Sequence, residues 1–421
     1  MKNIFLLSIF IFLSLISLAQ KTNAPRLSPP LRIQPGNWRG VLTLNDSTEL
    51  PFTFTIALEQ DNYVLVIRNA SEKIKVEELR VTRDSIHWHM PVFDSWFTCR
   101  IDSLSGFHGT WFNNSASKPY QLNFRAEYEK DRFDYVQCRS ADPVWDNDRW
   151  ECTFSPGAAD SSKAIGIFKR DGANNFYYGT FLTETGDYRY LEGGFVQCRK
   201  MLLSCFDGSH AFLFELNFNR TGIQGHAWYG KYSYEKWIAK ENPKFELRDP
   251  EKLTFVNDSS NVNFTFNDLY GNPVSLSDPK FKGKVVIIQV MGSWCPNCMD
   301  ETAWMTEVYA KYHAQGLEVV ALAYERSTDT SKANPNIRRV KDHFKAPYLF
   351  LNTGKTGKNA ASESLPFLNG IMSFPTTIYI DKAGKVRRIY TGFNGPATGA
   401  AYEKDTTEAL RLIQLLLAEK K

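Results

Sequence analysis

The feature that most constrains this chain is a pair of cysteines, Cys295 and Cys298, placed just after an apolar run at residues 285–290. A run of this kind is typical of a strand buried on both faces of a parallel sheet. Beyond the cysteines, apolar residues follow at helical spacing up to Gly316, where the helix is expected to end. The two cysteines therefore lie where a buried strand ends and a helix begins.

That position has chemical consequences for both thiols. The first backbone N–H groups of a helix are unsatisfied and carry partial positive charge, so they stabilise a thiolate at Cys295. Cys298 follows within the first turn, close enough to form or resolve a disulfide with Cys295, and Pro296 is tolerated between them. The alternatives are an inert disulfide and half of a four-cysteine zinc site, but zinc needs a second ligand pair and the sequence has no other C-x-x-C. The pattern favours a redox-active pair and no metal.

The surrounding sequence predicts an α/β domain at residues 263–421. A last amphipathic helix is expected to run from a cap at Asp405 to residue 418, and further strands are expected at 317–323, 376–380 and 386–390. Strands that alternate with helices and end in a hairpin and a helix are the pattern of an α/β fold.

Residues 37–240 show a different pattern of short alternating runs, rich in aromatic and β-branched residues and separated by Gly, Asn, Asp and Ser. They are predicted to form an all-β domain, a barrel or a sandwich, of unknown role. Aromatic residues and glycine turns recur in it at an offset of 116 residues, which indicates either an internal duplication or the ordinary reuse of glycine in hairpins. A linker at 241–262, containing two prolines, joins the two domains.

The N-terminus indicates export. Residues 1–19 combine Lys2, an apolar run and small residues before Gln20, which predicts a cleaved secretory signal peptide, with an uncleaved anchor as the alternative. A proline-rich linker at 20–36 follows. We therefore expect a periplasmic or cell-envelope protein with no membrane span in the mature chain. The formal net charge of only +4 gives no reason to expect nucleic acid as a partner.

Five further cysteines would face an oxidising compartment after export. Their odd number leaves at least one unpaired or bonded between chains. Two pairings are conceivable, Cys198 with Cys205 across a turn and Cys138 with Cys152 across a loop, and neither can be fixed from the sequence. The fifth cysteine is Cys99.

Residues 271–301, GNPVSLSDPKFKGKVVIIQVMGSWCPNCMDE, resemble the thioredoxin-like proteins of the TlpA type. The resemblance continues at residues 374–377 (FPTT), similar to the cis-proline loop of that family, and at 381–385 (DKAGK), similar to its strand hairpin. It covers about residues 245–421 and does not extend to residues 20–240. Since the family consists of exported bacterial thiol–disulfide oxidoreductases, the resemblance implies a thioredoxin-like fold and thiol–disulfide exchange.

The resemblance also implies roles for single residues. Cys295 is similar to the attacking thiol, Cys298 to the resolving thiol, and Trp294 to an aromatic residue that flanks the active site. Pro375 is implied to be cis, so that the peptide unit of Phe374 can pair with the extended backbone of a substrate.

Proton transfer is expected to involve Glu301, which matches an acidic residue that related exported reductases keep near the second thiol. Its carboxylate lies one helical turn from Cys298, although a solvated carboxylate favoured by the helix dipole is the alternative. Many thioredoxins have a buried Asp six residues before the first cysteine, where this chain has Gln289. Since an amide cannot act as a base, the proton must go to Glu301, to water or to another acid such as Glu325, for which a surface loop charge is the alternative.

These observations predict an enzyme that reduces disulfides of other exported proteins through a mixed disulfide at Cys295. No cofactor is expected, because electrons would come from a partner thiol protein. Two alternatives remain. The chain could be a thiol peroxidase, although a second cysteine so near the first and the Trp294 context argue against one, or it could be a binding module whose work is done by the β domain.

Overall fold

The computed structural model describes residues 33–45, 47–60, 62–76, 79–137, 149–171, 176–257 and 262–420. The expected signal peptide at 1–19, most of the expected linker at 20–36, and Cys138 lie outside the described residues. Over the described ranges the chain forms two antiparallel β sheets, followed by a mixed sheet with helices packed on it.

The first sheet is built from strands whose side chains point alternately inward and outward, as the pleat of a strand requires. In its second strand, Leu50, Phe52, Phe54 and Ile56 are all buried. The nine strands are β1 (Gly36–Thr43), β2 (Glu49–Glu59), β3 (Asn62–Asn69), β4 (Glu72–Val76), β5 (Leu79–Val81), β6 (Ser85–His89), β7 (Ser95–Ser103), β8 (Gly106–Asn113) and β9 (Tyr120–Tyr128). Their order in the sheet is β4-β3-β2-β1-β9-β8-β7-β6-β5.

The second sheet also has nine strands, and it closes on itself because its strand β11 pairs with both β10 and β12. The strands are β10 (Arg149–Phe154), β11 (Ser162–Arg170), β12 (Tyr177–Thr183), β13 (Gly186–Asp187), β14 (Leu191–Gln197), β15 (Lys200–Phe206), β16 (Ala211–Asn219), β17 (Gly222–Tyr229) and β18 (Ser233–Glu241). Their order is β11-β10-β18-β17-β16-β15-β14-β12-β13. An all-β N-terminal region is therefore present, and its second sheet is a barrel.

The two sheets repeat one strand arrangement. β1 pairs with β2 and β9, just as β10 pairs with β11 and β18. β16 and β17 have the bounds of β7 and β8 shifted by 116 residues, the offset found in the sequence. This shared arrangement supports an internal duplication over the reuse of glycine turns. The sheets also share a core, since the Phe206 ring stacks on Phe52 with centroids 4.4 Å apart.

The third sheet is centred on a strand that is buried at all seven positions, as its apolar sequence predicts. The strands are β19 (Thr265–Asp268), β20 (Pro273–Ser275), β21 (Val285–Met291), β22 (Leu317–Ala323), β23 (Leu349–Asn352), β24 (Thr376–Ile380) and β25 (Val386–Thr391), in the order β20-β19-β23-β22-β21-β24-β25. The helices are α1 (Pro296–Tyr312), α2 (Thr330–His343), α3 (Gly357–Ser364) and α4 (Ala400–Ala418). Side chains of β21 alternate between two cores, one containing α1, α2 and α4 and the other containing α3.

The start of α4 corrects one sequence prediction. The helix begins at Ala400, five residues before the expected cap, so Asp405 lies inside it. The Asp405 carboxylate accepts hydrogen bonds of 2.6 Å from the Tyr390 hydroxyl and from Asn394 Nδ2. The predicted cap was wrong because partners on β25 and the following loop, rather than the N–H groups of the helix, satisfy this carboxylate.

The cysteines of the β region do not pair as the two conceivable loops would require. Cys152 and Cys205 are free thiols on β10 and β15, and both are buried, as is Cys99 on β7. Burial raises the pKa of all three thiols, which keeps them protonated and unreactive. Both conceivable pairings are therefore wrong, because one member of each is a core side chain. Cys198 is disulfide-bonded.

Candidate functional site

Cys295 and Cys298 form a disulfide at the point where β21 gives way to α1, with their Cα atoms 5.2 Å apart. Cys295 is the N-cap of α1, and its Sγ accepts a hydrogen bond of 3.2 Å from the backbone N–H of Cys298. Pro296 occupies the first helical position, where its missing N–H costs nothing. Cys298 is fully buried, whereas Cys295 is 5% exposed. Of the two cysteines, only Cys295 has exposed surface.

Glu301 is buried beside this pair and is held by β21 and β24. It is 2% exposed, and its Oε2 accepts a hydrogen bond of 2.9 Å from Gln289 Nε2, while Oε1 accepts one from the Thr377 hydroxyl. Gln289 and Thr377 are direct cross-strand partners, which is why both reach one carboxylate. Burial raises the pKa of Glu301 to about 7, against the opposing effect of these two hydrogen bonds. The expected alternative, a solvated carboxylate at the helix start, is therefore wrong.

Gln289 stands at the position where many thioredoxins have a buried Asp, and it donates a hydrogen bond to the Glu301 carboxylate. Its Nε2 also lies 3.4 Å from the carbonyl oxygen of Cys298 and 3.1 Å from Thr302 Oγ1. The amide thus connects the backbone of the second cysteine with the Glu301 carboxylate. This geometry fixes the orientation of the Glu301 carboxylate next to the first turn of α1.

Glu325 is buried and positions the loop before the cysteines, rather than lying on a surface loop. Its Oε1 accepts a hydrogen bond of 2.9 Å from the Ser293 backbone N–H, and its Oε2 accepts one of 2.6 Å from the Ser293 hydroxyl. Burial raises the pKa of this carboxyl, with Ser293 opposing the rise. Both of its oxygens are occupied by Ser293, so its contact is with the loop rather than with a thiol.

Trp294 precedes Cys295 directly, and its indole is held by contacts with three other residues. Its indole N–H donates a hydrogen bond of 2.9 Å to the Tyr324 carbonyl, and the Arg326 guanidinium lies 3.5 Å above its ring centroid. The Phe374 ring meets it edge-on at 5.5 Å. These three contacts fix the indole next to Cys295.

The Phe374–Pro375 peptide bond is cis, the geometry that the resemblance implies. The carbonyl oxygen of Phe374 lies 3.5 Å from the Sγ of Cys295. The preceding Ser373 hydroxyl is 3.2 Å from that same carbonyl and 3.4 Å from the carbonyl of Thr185, in the β region. The loop is therefore next to the disulfide on one side and next to a β hairpin on the other.

That hairpin, residues 183–187 at the connection of β12 and β13, is called the docking hairpin below. Its Asp187 carboxylate accepts a hydrogen bond of 2.5 Å from the Gly395 backbone N–H. A Cβ on Gly186 would lie 2.8 Å from Asn297 Nδ2, and one on Gly392 would lie 2.6 Å from the backbone carbon of Thr185. The docking hairpin thus packs without gaps against the Cys-Pro-Asn-Cys segment and the loop that follows β25.

A buried ionic cluster next to the hairpin joins all three sheets. The Arg189 guanidinium pairs with Asp300 on α1, with Glu72 of β4 at 2.6 Å and with Asp207 after β15 at 3.5 Å. Burial raises the pKa of Asp300 to about 7, and Arg189 opposes that rise. Asp300 is adjacent to Glu301, so the cluster connects the β region directly to the helix of the active site.

Sequence reasoning found the residues at the disulfide but missed Arg189, Asp187, Asp300 and the docking hairpin. These residues are brought together only by the packing of distant segments, and no local spacing indicates them. The one available signal was the glycines at 186 and 392, which leave room for close backbone approach. Within the described part of the chain, no three or more His, Cys, Asp or Glu side chains are grouped so that they could hold a metal.

Comparison with known protein families matches residues 256–409 to the Redoxin family. Thiol-disulfide oxidoreductase ResA of Bacillus thuringiensis subsp. konkukian is 35% identical over 124 residues, which are 30% of this chain and 63% of that protein. ResA of Geobacillus thermodenitrificans is 31% identical over 144 residues, which are 34% of this chain and 73% of that protein. A solved thiol:disulfide interchange protein of the thioredoxin family from Chlorobium tepidum TLS is 20% identical, with a TM-score of 0.29, over 37% of this chain and 94% of that one.

The sequence matches agree with the site. The Redoxin match contains both cysteines, Glu301 and the Phe374–Pro375 loop, and the disulfide lies at the start of α1. Through its C-terminal domain the chain therefore belongs to the TlpA-type thioredoxin-like thiol–disulfide oxidoreductases.

Proposed function

We propose that this protein reduces disulfides of other exported proteins by thiol–disulfide exchange at Cys295. The observation that carries the proposal is the asymmetry of the pair, in which Cys295 caps the helix and reaches the surface while Cys298 is fully buried behind it. An attacking sulfur must meet a substrate, whereas a resolving sulfur needs only to meet its partner. The arrangement supports these two roles in that order.

The reaction has two exchange steps. In the reduced enzyme the Cys295 thiolate attacks one sulfur of the substrate disulfide, that S–S bond breaks, and the released substrate thiolate takes up a proton. The Cys298 thiolate then attacks the Cys295 sulfur, which releases the second substrate thiol and forms the Cys295–Cys298 disulfide. Two electrons pass from the enzyme dithiol to the substrate, and a dithiol partner protein restores them.

The helix N-terminus and Glu301 support different steps. Partial positive charge at the first turn of α1 stabilises the thiolate at its N-cap, Cys295. Cys298 has no access to solvent, so its proton has to leave through a buried group. Glu301 lies one turn further along α1, and the pKa of about 7 that burial gives it suits a group that accepts a proton near neutral pH.

Location and partners belong to the same proposal. The signal-peptide pattern of residues 1–19 supports export to the periplasm or cell envelope, where protein disulfides are available as substrates. Among the helices that the structure describes, none combines the length and the apolar character that crossing a membrane requires. The partners would be exported proteins with cysteines and an electron-donating thiol protein.

The deciding experiment is a trapping assay with Cys298→Ala. Without a resolving thiol, the exchange should stop at the mixed disulfide with Cys295, and substrates should appear as higher-mass bands on non-reducing gels of envelope extract. Cys295→Ala is the matched control and should give no such bands. If Cys298→Ala captures nothing while Cys295 still reacts with iodoacetamide, protein disulfides are not the substrates. Consumption of hydrogen peroxide that is retained in Cys298→Ser would instead identify a thiol peroxidase.

The redox direction is tested separately. If the protein is a reductase, equilibration with glutathione buffers should give its disulfide a reduction potential more negative than about −200 mV. The disulfide of an oxidase should have a much less negative reduction potential. Mass mapping of alkylated Cys295 and Cys298 across the buffers gives the midpoint.

A further inference from the structure

A cleft of about 350 Å³ opens directly over the disulfide, between the β region and the start of α1. Its base is formed by residues 294–297, which include the exposed edge of Cys295. Its sides come from three connections of the β region, those between β8 and β9, between β15 and β16, and between β17 and β18. Both β sheets therefore contribute to the surroundings of the reactive sulfur.

This cleft is an open approach to Cys295. On the other side of the disulfide, the docking hairpin packs against Ser373 and Asn297, and so it occupies space next to the Phe374–Pro375 loop. Cys295 itself is only 5% exposed, and it lies in the lining of the cleft. In this cleft a substrate sulfur can reach Cys295 by passing between the three connections.

The cleft carries positive charge. No Asp or Glu occurs among the described residues that line it, whereas two cationic side chains, Lys118 and Arg326, do. The Lys118 ammonium lies 4.7 Å above the Tyr232 ring, and the Arg326 guanidinium stacks on Trp294. Among the residues that the structure describes, neither cation forms a salt bridge within 4.0 Å, although Glu325 acts on the Arg326 charge from a longer distance. Both cations can therefore pair with a ligand.

Three acidic groups near the cleft already have partners. Asp207, behind the cleft, pairs with His210 at 3.3 Å and with Arg189. Glu235 accepts a hydrogen bond of 2.6 Å from the Tyr229 hydroxyl. Glu325, next to Arg326 in sequence, has both oxygens bound by Ser293. These carboxylates reduce the positive field but do not neutralise either free cation.

Aromatic rings complete the lining and favour an extended chain over a compact ligand. Tyr232 is 55% exposed at the edge of the cleft, and four more rings lie deeper, those of Tyr120, Phe212, Tyr229 and Trp294. Such rings bind apolar side chains and peptide groups along their faces. The volume suits the side chains of a few residues on each side of a disulfide.

We propose that this cleft binds the substrate and selects an extended peptide segment with acidic side chains next to its disulfide. The inference rests on the proposed function, because it names the substrate class of that same reaction. Lys118 and Arg326 would pair with carboxylates on the segment, the rings would contact its backbone, and the segment's disulfide sulfur would meet Cys295. The electrons follow the two exchange steps given above.

The test uses the full reduced protein and synthetic peptides of equal length, each with one internal disulfide flanked by Asp, by Ser or by Lys. The second-order rate of reduction is measured by acid quenching and chromatography of the reduced peptide. Each rate is divided by that of dithiothreitol with the same peptide, which removes the effect of neighbouring charges on the disulfide itself. The Asp peptide should react about tenfold faster than the Lys peptide at low ionic strength, and the ratio should fall below about threefold in 0.5 M salt.

Charge reversal provides the matched comparison. In the double variant Lys118→Glu and Arg326→Glu the preference should invert, so that the Lys peptide becomes the faster substrate. Lys130→Glu, an exposed charge reversal outside the cleft, should keep the preference of the native protein.

The outcomes separate the two levels of the proposal. If the native protein reduces all three peptides at equal normalised rates, or if the preference survives high salt or the double reversal, the charge selection is wrong while the enzyme function stands. If oxidised glutathione is reduced as fast as the Asp peptide, the cleft takes small anionic disulfides rather than a segment, and the proposal is overturned. If none of the peptides is reduced, the proposed function itself fails.

Discussion

Replacing Glu301 by Gln tests the proton-transfer step of the proposed reaction. The change keeps the volume of a buried side chain and removes its charge. Gln289 and Thr377, which now donate to the carboxylate, can turn to satisfy the new amide. The variant should therefore fold, and what it loses is a group that can accept a proton near Cys298.

The expected size of the effect on the rate follows from the way burial changes the ionisation of Glu301. Raising the pKa of Glu301 from 4.5 to about 7 makes its ionisation cost about 3 kcal/mol more than that of an exposed glutamate. About a tenth of the groups are then ionised at pH 6 and about nine tenths at pH 8. If the carboxylate accepts the Cys298 proton, the resolving step should accelerate with pH around a midpoint near 7, and Glu301→Gln should slow it about 100-fold at pH 8.

The assay is a stopped-flow reaction of the reduced protein with an aromatic disulfide that releases a coloured thiol. Attack by Cys295 gives a first phase that depends on reagent concentration, and resolution by Cys298 gives a second phase that does not. In Glu301→Gln the first phase should be unchanged, and the second should be slow and lose its midpoint near pH 7. Glu307→Gln, the same change at an exposed position of α1, should retain both native phases. A second phase with native rate and pH profile in Glu301→Gln would refute the role of Glu301.

The pH dependence of the free energy of unfolding gives an independent test of the raised pKa of Glu301, and the direction of the change is defined. Between pH 4.5 and about 7 the folded protein keeps a proton on Glu301 that the unfolded chain has released, so this residue lowers the free energy of unfolding as pH rises through that window. Its contribution falls by about 2.5 kcal/mol between pH 5 and pH 8. Urea unfolding of the oxidised proteins should show Glu301→Gln gaining that amount relative to the native protein over the same range. A difference that is constant with pH would show that burial does not raise this pKa.

Three further predictions concern the chemistry and the docking of the β region. In a mass-mapped time course, iodoacetamide should modify Cys295 before Cys298, and the opposite order would reverse their roles. Gly392→Ala, at a positive φ of 85° and with its new Cβ 2.6 Å from the Thr185 backbone, should destabilise the protein by about 1–3 kcal/mol in thermal unfolding and expose the docking hairpin to proteolysis. Arg189→Met should lower the free energy of unfolding in urea by about 3–5 kcal/mol at pH 8, because it leaves buried carboxylates unpaired. The loss should be smaller at pH 5, where Asp300, with its pKa of about 7, is neutral.

The sequence predicted the local parts of this site well, since they depend on short spacings. A buried strand, a C-x-x-C and a helix pattern were enough to place Cys295 and Cys298, and β22 and β24 have the predicted bounds. The cis bond before Pro375 came from resemblance to a family, because nothing in the local sequence requires it. The predicted helix cap at Asp405 was wrong because the capping pattern considers only neighbours in sequence. It does not include the side chains of β25 and the following loop that bind this carboxylate.

What could not be predicted depends on contacts between distant segments. The hydrogen bonds of Glu301 depend on the register of β21 against β24, which no single segment specifies. The same holds for Asp187, which is 208 residues from the Gly395 amide that it binds. Cys152 is likewise a free thiol because its side chain on β10 is buried in the core of the barrel, which only the assembled sheet determines.

The ionic cluster around Arg189 constrains how the sequence of this protein can change during evolution. Because Asp300 lies on α1 and Arg189 lies in the β region, the two halves of the chain are matched through one buried charge pair. A thioredoxin-like domain from another protein would lose this pair unless it brought an acid to the position of Asp300. Positions 189 and 300 should therefore vary together among relatives that keep both halves, and should vary freely in relatives that have only one.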